Sequence, residues 1–307
     1  MIQPALNKLL VVGGNGFIGV PFFNHAFQSK LDIDSGSAVC RVALRHGYQV
    51  TSISSSGRPF QTPKGHTPAW TEKVEWLTAD ALRPETYSHL LPGVSAVVHT
   101  LGTLLADTSY KDALRKQDLA SAAGSIFRSL TSAGGNPLEE HRNAYETLNR
   151  DSAVRVATAF VNSNVDHAGT QHPRPFVYIS AEDIFRPEQV ERVVGGRTNY
   201  RGVYLRPSLV YHPHLRPYTA AMAALFDLSS TVQSKLSRGM PTPSDVLHGL
   251  SQTLVGGPST LDSIARALSL PPIHVDQVAE AICIAADSER PDVHGVYGVR
   301  EMRELIS

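Results

Sequence analysis

Short apolar runs rich in β-branched residues alternate with helical patterns over the first two thirds of the chain. Six runs have the composition of strands: residues 8–12, 48–53, 74–77, 96–99, 176–179 and 203–206. Several are apolar at consecutive positions, which is typical of strands buried on both faces of a parallel sheet. Helical patterns lie between them, notably at 84–91 and 144–161. The alternation predicts an α/β fold with a Rossmann-like, doubly wound parallel sheet.

The pattern changes after Arg206, where prolines repeatedly interrupt short helical stretches. We therefore predict a Rossmann-like domain at residues 1–206 and a smaller, mostly helical lobe at 207–307. Within this lobe, a helix over 276–287 is expected to return to the core. Two polar segments rich in glycine and proline, 54–69 and 162–175, are predicted to be loops.

A glycine-rich turn follows the first strand. Gly13, Gly16 and Gly19 have the G-x-x-G-x-x-G spacing and stand where a helix should begin. A pyrophosphate needs this arrangement, because no Cβ blocks its approach and free N–H groups point toward it from the helix start. The alternative is an ordinary tight turn. We predict dinucleotide binding by Gly13, Gly14, Asn15, Gly16, Phe17, Ile18 and Gly19.

The segment after this turn departs from a continuous βαβ pattern. A well-patterned helix appears only at Ser37, and removing residues 20–36, which are 17 positions, restores GFIG-SAVCRVALRHGYQV. We interpret 20–36 as an insertion beside the phosphate site. It is either a genuine extra helix and loop or a translated retained intron, which would be an artefact of the gene model.

The second strand ends without the acidic residue that would bind an adenosine ribose. Ser54 and Arg58 stand there instead, in the run Ile53-Ser54-Ser55-Ser56-Gly57-Arg58. Hydroxyls and a guanidinium suit a 2′-phosphate better, so NADP is favoured over NAD. The alternative is an exposed loop with a solvated arginine.

Composition narrows the function classes. The 307 residues include 28 basic and 28 acidic side chains, and this balance argues against a nucleic-acid binder. Two cysteines provide neither a disulfide framework nor a zinc cluster, and we interpret His212 and His214 as loop residues rather than metal ligands. No apolar run is long enough to cross a bilayer, and no secretory signal or clear presequence is visible. A soluble protein of a reducing compartment is expected.

Several motifs in order along the chain resemble the extended short-chain dehydrogenase/reductase superfamily, of the atypical, epimerase/dehydratase-like kind. They are the glycine turn, Ala79-Asp80, Val98-His99-Thr100-Leu101-Gly102, Tyr178-Ile179-Ser180, Leu205-Arg206-Pro207-Ser208-Leu209-Val210-Tyr211 and His274-Val275-Asp276-Gln277-Val278-Ala279-Glu280-Ala281. The resemblance implies that Asp80 contacts adenine, that His99, Leu101 and Gly102 line the nicotinamide side, and that Ser180 is the catalytic serine.

Two shorter matches point to a narrower group. Asn149-Arg150-Asp151-Ser152-Ala153 and Tyr110-Lys111 resemble a fungal mitochondrial branch that acts in ubiquinone biosynthesis and is related to an accessory subunit of respiratory complex I. This resemblance implies peripheral association with the ubiquinone-synthesis complex at the matrix face of the inner membrane.

The superfamily's proton-transfer pair is missing. No tyrosine stands four residues before a lysine anywhere in the chain, and only a short helical stretch at 187–194 follows Ser180. Tyr200 and Tyr204 are the nearest substitutes, without a lysine nearby. Ser180 without a base is otherwise an ordinary serine at a strand end.

Three functions stay open at this point. The first is an NAD(P)-binding protein that supports ubiquinone biosynthesis without full catalytic machinery. The second is an active NAD(P)-dependent oxidoreductase, epimerase or dehydratase with a displaced proton donor. The third is a structural accessory subunit whose site has decayed.

Overall fold

A parallel sheet of seven strands forms the centre of the protein. The computed structural model describes residues 7–14, 35–62, 65–101, 150–163, 172–179, 188–195, 199–207, 210–211 and 272–307. The strands are β1 Lys8–Val12, β2 Gln49–Ser54, β3 Val74–Thr78, β4 Ala96–His99, β5 Arg174–Ile179, β6 Tyr200–Leu205, β7 Val210–Tyr211, β8 Ile273–His274 and β9 Gly295–Tyr297. The order β3-β2-β1-β4-β5-β6-β9 confirms the predicted doubly wound fold, and β7 pairs with β8 in a separate small sheet.

Helices cover both faces of the sheet. They are α1 Ser35–Arg45, α2 Ser152–Asn162, α3 Glu188–Gly195, α4 Val275–Ala285 and α5 Val299–Leu305. Successive residues of a strand point to opposite faces, so Leu9 and Val11 pack with α1, α4 and α5, whereas Leu10 and Val12 pack with α2 and α3. Burial on both faces explains why the strands are apolar at consecutive positions. Among the described helices, none has the length and apolar character required to cross a membrane.

The helical pattern at 84–91 forms two 3₁₀ turns, Pro84–Thr86 and Ser88–Leu90, rather than one α-helix. The hydroxyl of Thr86 donates to the carbonyl of Arg83 at 2.7 Å, and that of Ser88 donates to the carbonyl of Pro84 at 2.6 Å. These short side-chain bonds compete with a regular helix for the backbone carbonyls.

The predicted loop at 162–175 is wrong at its end, because Arg174 and Pro175 belong to β5. Arg174 is buried, donates to the carbonyls of Leu91 and Val94, and lies 4.2 Å from the centre of the Phe160 ring. A strand can begin with a buried arginine because these carbonyls and the ring compensate the charge.

Residues 275–307 contribute directly to this core. Ion pairs join α4 to α1 in the same order along both helices, Arg41 to Asp276 at 2.5 Å and Arg45 to Glu280 at 3.7 Å. His274 begins α4 with its Nδ1 accepting the N–H of Asp276 at 3.1 Å. The division at residue 206 stays a prediction, since most of 208–271 lies outside the described residues.

Candidate functional site

The sheet order reverses between β1 and β4, and two turns meet at the carboxyl ends of these strands. The N–H and the hydroxyl of Thr100 both donate to the carbonyl of Val12 at 2.9 Å. The N–H of Gly13 donates to the carbonyl of Ile53 at 2.9 Å. Ligands of doubly wound sheets bind in the crevice at such a reversal. The candidate site therefore lies over Gly13, Gly14, Thr100 and Leu101.

The glycine turn has no room for side chains. Gly13 has a φ of +88°, and a Cβ built there would lie 2.7 Å from Leu101 Cδ2. A Cβ on Gly14 would lie 2.2 Å from Ser52 Oγ and 3.0 Å from Cys40 Sγ. Both positions thus require glycine, one for its backbone conformation and close contact, the other for close contact alone.

Helix α1 begins against this turn. A Cβ on Gly36 would lie 2.3 Å from the carbonyl oxygen of Gly13 and 2.7 Å from Gly14 Cα. The unpaired N–H groups of a helix's first turn carry partial positive charge, and α1 brings its own to the carboxyl edge of β1. Bare backbone and a helix start together form a cradle that suits a pyrophosphate.

Gly36 was not identified from the sequence, because the helix was predicted from Ser37 and the insertion was extended through 36. The helix instead begins at Ser35. Glycine disfavours a helix intrinsically, so local propensity hides this start, whereas the close backbone contact requires it. The available signal was that Gly36 directly precedes the helical run, just as Gly19 precedes it once the insertion is removed.

The β2 end forms a serine-lined turn beside the cradle. Ser54 Oγ accepts the N–H of Gly57 at 3.0 Å, and Ser56 Oγ accepts the N–H of Arg58 at 3.3 Å. The carbonyl of Ser54 accepts the N–H of Ala79 at 2.9 Å, which ties this turn to the end of β3. Arg58 is exposed. This places the predicted Ser54 and Arg58 next to the predicted Asp80.

Asp80 has a partly engaged carboxylate. Its Oδ1 accepts the N–H of Leu82 at 2.9 Å, its Oδ2 lies 3.6 Å from Arg83 Nε, and its side chain is 48% exposed. The backbone N–H of Asp80 donates to Thr86 Oγ1 at 3.0 Å, which fixes the turn. The remaining acceptor positions are available to solvent or to a ligand.

His99 lies beneath the edge rather than on its surface. The ring is fully buried, its Nε2 is 3.0 Å from Ser152 Oγ, and its centre is 5.5 Å from that of Tyr178. Burial lowers the pKa of His99 to about 3, so the imidazole is neutral at physiological pH. Within the described part of the chain, its Nδ1 has no hydrogen-bond partner. Direct contact between His99 and a cofactor stays a prediction.

The two substitute tyrosines are poorly placed for proton transfer. Tyr200 begins β6, at the edge opposite the cradle, and its hydroxyl accepts from Arg174 Nη1 at 3.2 Å. Tyr204 lies near the carboxyl end, but burial raises its pKa well above the usual value. In the described segments, no group of three or more histidine, cysteine or acidic residues could hold a metal ion.

The remaining predicted site residues lie outside the described part of the chain and stay predictions: Asn15, Gly16, Phe17, Ile18, Gly19, Gly102 and Ser180. Those that the structure describes, Gly13, Gly14, Ser54, Arg58, Asp80, His99 and Leu101, all lie at or just beyond the carboxyl edge of the sheet.

Comparison with known proteins finds curated relatives and solved structures of similar fold. MIOREX complex component 2 of Saccharomyces cerevisiae is 29% identical over 224 residues, covering 67% of this chain and 74% of that protein. An uncharacterized chloroplastic protein of Arabidopsis thaliana is 33% identical over 95 residues, covering 31% of this chain and 24% of that protein. The structure of ElxO with NADP bound matches with a TM-score of 0.52 at 12% identity, covering 96% of this chain and 97% of that chain. No protein-family model matches the chain.

The burial of His99 predicts acid sensitivity. The unfolded chain binds a proton near the ordinary pKa of 6.5, whereas the native chain does not until about 3, so native stability falls as the pH falls below 6.5. Between pH 7 and pH 5 this one group should cost about 2 kcal/mol of unfolding free energy. Urea denaturation at both pH values measures it. The variant His99→Gln keeps a hydrogen-bonding group near Ser152 but has no imidazole to titrate. Its unfolding free energy should therefore fall between pH 7 and pH 5 by about 2 kcal/mol less than that of the unmodified protein. Equal decreases in the two proteins would contradict the prediction.

Proposed function

We propose that the chain is an NAD(P)-binding Rossmann-like protein that supports ubiquinone biosynthesis within a mitochondrial assembly, without full catalytic machinery. The observation that carries the binding proposal is the contact of Gly13, Gly14 and Gly36, where a Cβ would fall within 2.9 Å of another atom at each position. Such bare backbone at the β1/β4 reversal is what a pyrophosphate requires.

The residues present fit the dinucleotide. Backbone N–H groups of the glycine turn and of the first turn of α1 would hold the pyrophosphate. Asp80 would meet the adenine side, and Leu101 the nicotinamide side. Asn15, Gly16, Phe17, Ile18 and Gly102 belong to the proposed site as well, together with a third glycine, either Gly19 or Gly36. When bound, the nicotinamide ring supplies hydride transfer. The shared fold with ElxO, whose structure holds NADP, supports this proposal.

We further propose that NADP is preferred to NAD. The β2 turn presents Ser54, Ser56 and the exposed Arg58 where a ribose carboxylate partner would otherwise stand. A carboxylate at this position would repel a 2′-phosphate, whereas a guanidinium forms charge-assisted hydrogen bonds with it.

The missing proton-transfer pair favours a binding role over catalytic turnover. The chain has no Tyr-x-x-x-Lys pair, and α3 has only 8 residues. Tyr200 is at the opposite edge and Tyr204 is buried. Ser180 is therefore proposed as a ligand-contacting serine at most, and not as part of a working proton-transfer set.

The organellar part of the proposal has independent support. One relative is named as a component of a complex and the other as chloroplastic. The first description fits a protein of an assembly, and the second fits a protein of an organelle. The narrower assignment to the ubiquinone-synthesis complex at the matrix face depends on the motif resemblance at 149–153 and 110–111.

Calorimetric titration of the full chain with NADPH and NADH should give saturable binding. Gly14→Ala should weaken it about tenfold or more, because the turn must move away from Ser52 to admit a Cβ. Gly195→Ala is the matched control, since a Cβ there meets no atom within 4 Å. A cooperatively folded chain that binds neither dinucleotide would contradict the proposal and favour a structural subunit. Substrate-dependent oxidation of NADPH or NADH would instead favour an active enzyme.

Removing the guanidinium should erase the cofactor preference. Arg58→Ala is expected to lower NADPH affinity about tenfold while leaving NADH affinity within about twofold, because only NADPH carries the 2′-phosphate. Arg300→Ala removes another exposed arginine, one paired with Glu304 at 3.0 Å, and should change neither affinity. Equal loss for both dinucleotides with Arg58→Ala would argue against the 2′-phosphate contact.

Disruption of the gene in its source organism should lower cellular ubiquinone, measured by chromatography with mass detection. The unmodified gene should restore the level, and the Gly14→Ala version should restore it only in part, because its dinucleotide site is weakened. Unchanged ubiquinone in a strain that lacks the protein would overturn this part of the proposal.

A further inference from the structure

We infer that Gly36, and not Gly19, is the third glycine of the phosphate-binding turn, so that residues 19–35 are an insertion within the turn itself. This rests on the proposed dinucleotide binding, since the turn matters as a cradle only if a pyrophosphate binds. The inserted segment is defined here as residues 19–35.

Gly36 makes the close backbone contact between helix and turn that the third glycine of such motifs allows. In such turns the third glycine lets the helix pack closely on the first strand. Here the two nearest atoms to a Cβ on Gly36 are both backbone atoms, the Gly13 carbonyl oxygen at 2.3 Å and Gly14 Cα at 2.7 Å. Backbone atoms cannot rotate aside as a flexible side chain can, so this position excludes any larger residue.

Packing opposes an outward shift of helix α1 that would relieve this contact. Val39, Val42 and Ala43 are fully buried against the sheet. Arg41 also forms an ion pair at 2.5 Å with Asp276 of α4, a weaker contribution because both side chains are partly exposed. The sulfur of Cys40 also lies close to the Gly14 position. The start of α1 is therefore held against the glycine turn mainly by its packing on the sheet.

The sequence supports the same assignment. Removing 19–35 or 20–36 leaves an identical chain, because a glycine stands both at 19 and at 36. In that shortened chain the glycine before Ser37 has the motif spacing from Gly13. Gly36 thus precedes the same helical run as the third glycine of the motif and makes the close contact of that glycine. It lies 17 positions after residue 19, where the motif spacing from Gly13 would place a third glycine.

Paired substitutions in the full chain test this inference. Gly36→Ala should lower Tm by about 4 °C or more and weaken NADPH binding about tenfold or more, because the helix start must leave the cradle. Gly19→Ala, the matched control at the position that the motif spacing predicts, should change Tm by about 1 °C at most and affinity by less than about twofold. A Gly36→Ala chain that fails to fold beside a normally folded Gly19→Ala chain would also support the packing assignment.

A shortened chain lacking residues 20–36 provides the second test. We expect it to melt cooperatively and to bind NADPH, and we expect Gly19→Ala to be as damaging in it as Gly36→Ala is in the full chain. A Gly19→Ala effect in the full chain equal to that of Gly36→Ala would overturn the inference. So would a shortened chain that folds but no longer binds. If the unmodified full chain binds no dinucleotide, the proposed function fails, and the two Tm values still decide which glycine packs on the turn.

Discussion

Two stretches of backbone, the turn at Gly13 and Gly14 and the start of α1 at Gly36, meet at the carboxyl edge of β1 with no side chain between them, and the site depends on this contact. The glycines at 13, 14 and 36 allow it, since a Cβ at any of them would overlap a neighbour. Because α1 starts at this contact, its N–H groups face the edge. Because α1 also pairs with α4 through Arg41 and Asp276, the C-terminal part of the chain helps to hold the cradle.

A layer of buried polar groups lies directly behind this edge. Ser152 holds the first turn of α2 against His99 at the end of β4, and Tyr178 packs beside the same imidazole. Burial lowers the pKa of His99 to about 3 and raises that of Tyr178 to about 12, so neither group exchanges protons near neutral pH. Their contribution is to fix strand and helix ends. His99 and Tyr178 thus fix strand and helix ends behind the edge, and each stays in one protonation state near neutral pH.

The parts of the fold governed by local pattern could be predicted, and those governed by distant contacts could not. Continuous apolar runs located β1 and β4 to the residue, because burial on both faces leaves an unambiguous signal. Arg174 and Pro175 have loop character locally, and they belong to a strand because they pair with Tyr200 and Arg201 of β6. The carbonyls of Leu91 and Val94, some 80 positions away, compensate the buried Arg174 side chain. In the site, Gly13 and Leu101 were predicted separately and are in contact. The role of Gly36 escaped prediction, since it depends on a backbone contact and contradicts helix propensity.

The face of the sheet beyond β5 is closed by packing. Helix α3 spans about 12 Å at 1.5 Å per residue and buries Val190 and Val194 in the same cluster as Tyr178 and Tyr204. Tyr204 folds back over Gly202, where a Cβ would lie 2.0 Å from its hydroxyl, so its ring fills space that a larger residue at 202 would take. A tyrosine used in this way is a core residue, and its hydroxyl is withdrawn from the edge. The same short helix, which contains no tyrosine or lysine, completes the hydrophobic layer on this face, and the described part of the fold is therefore packed without that pair.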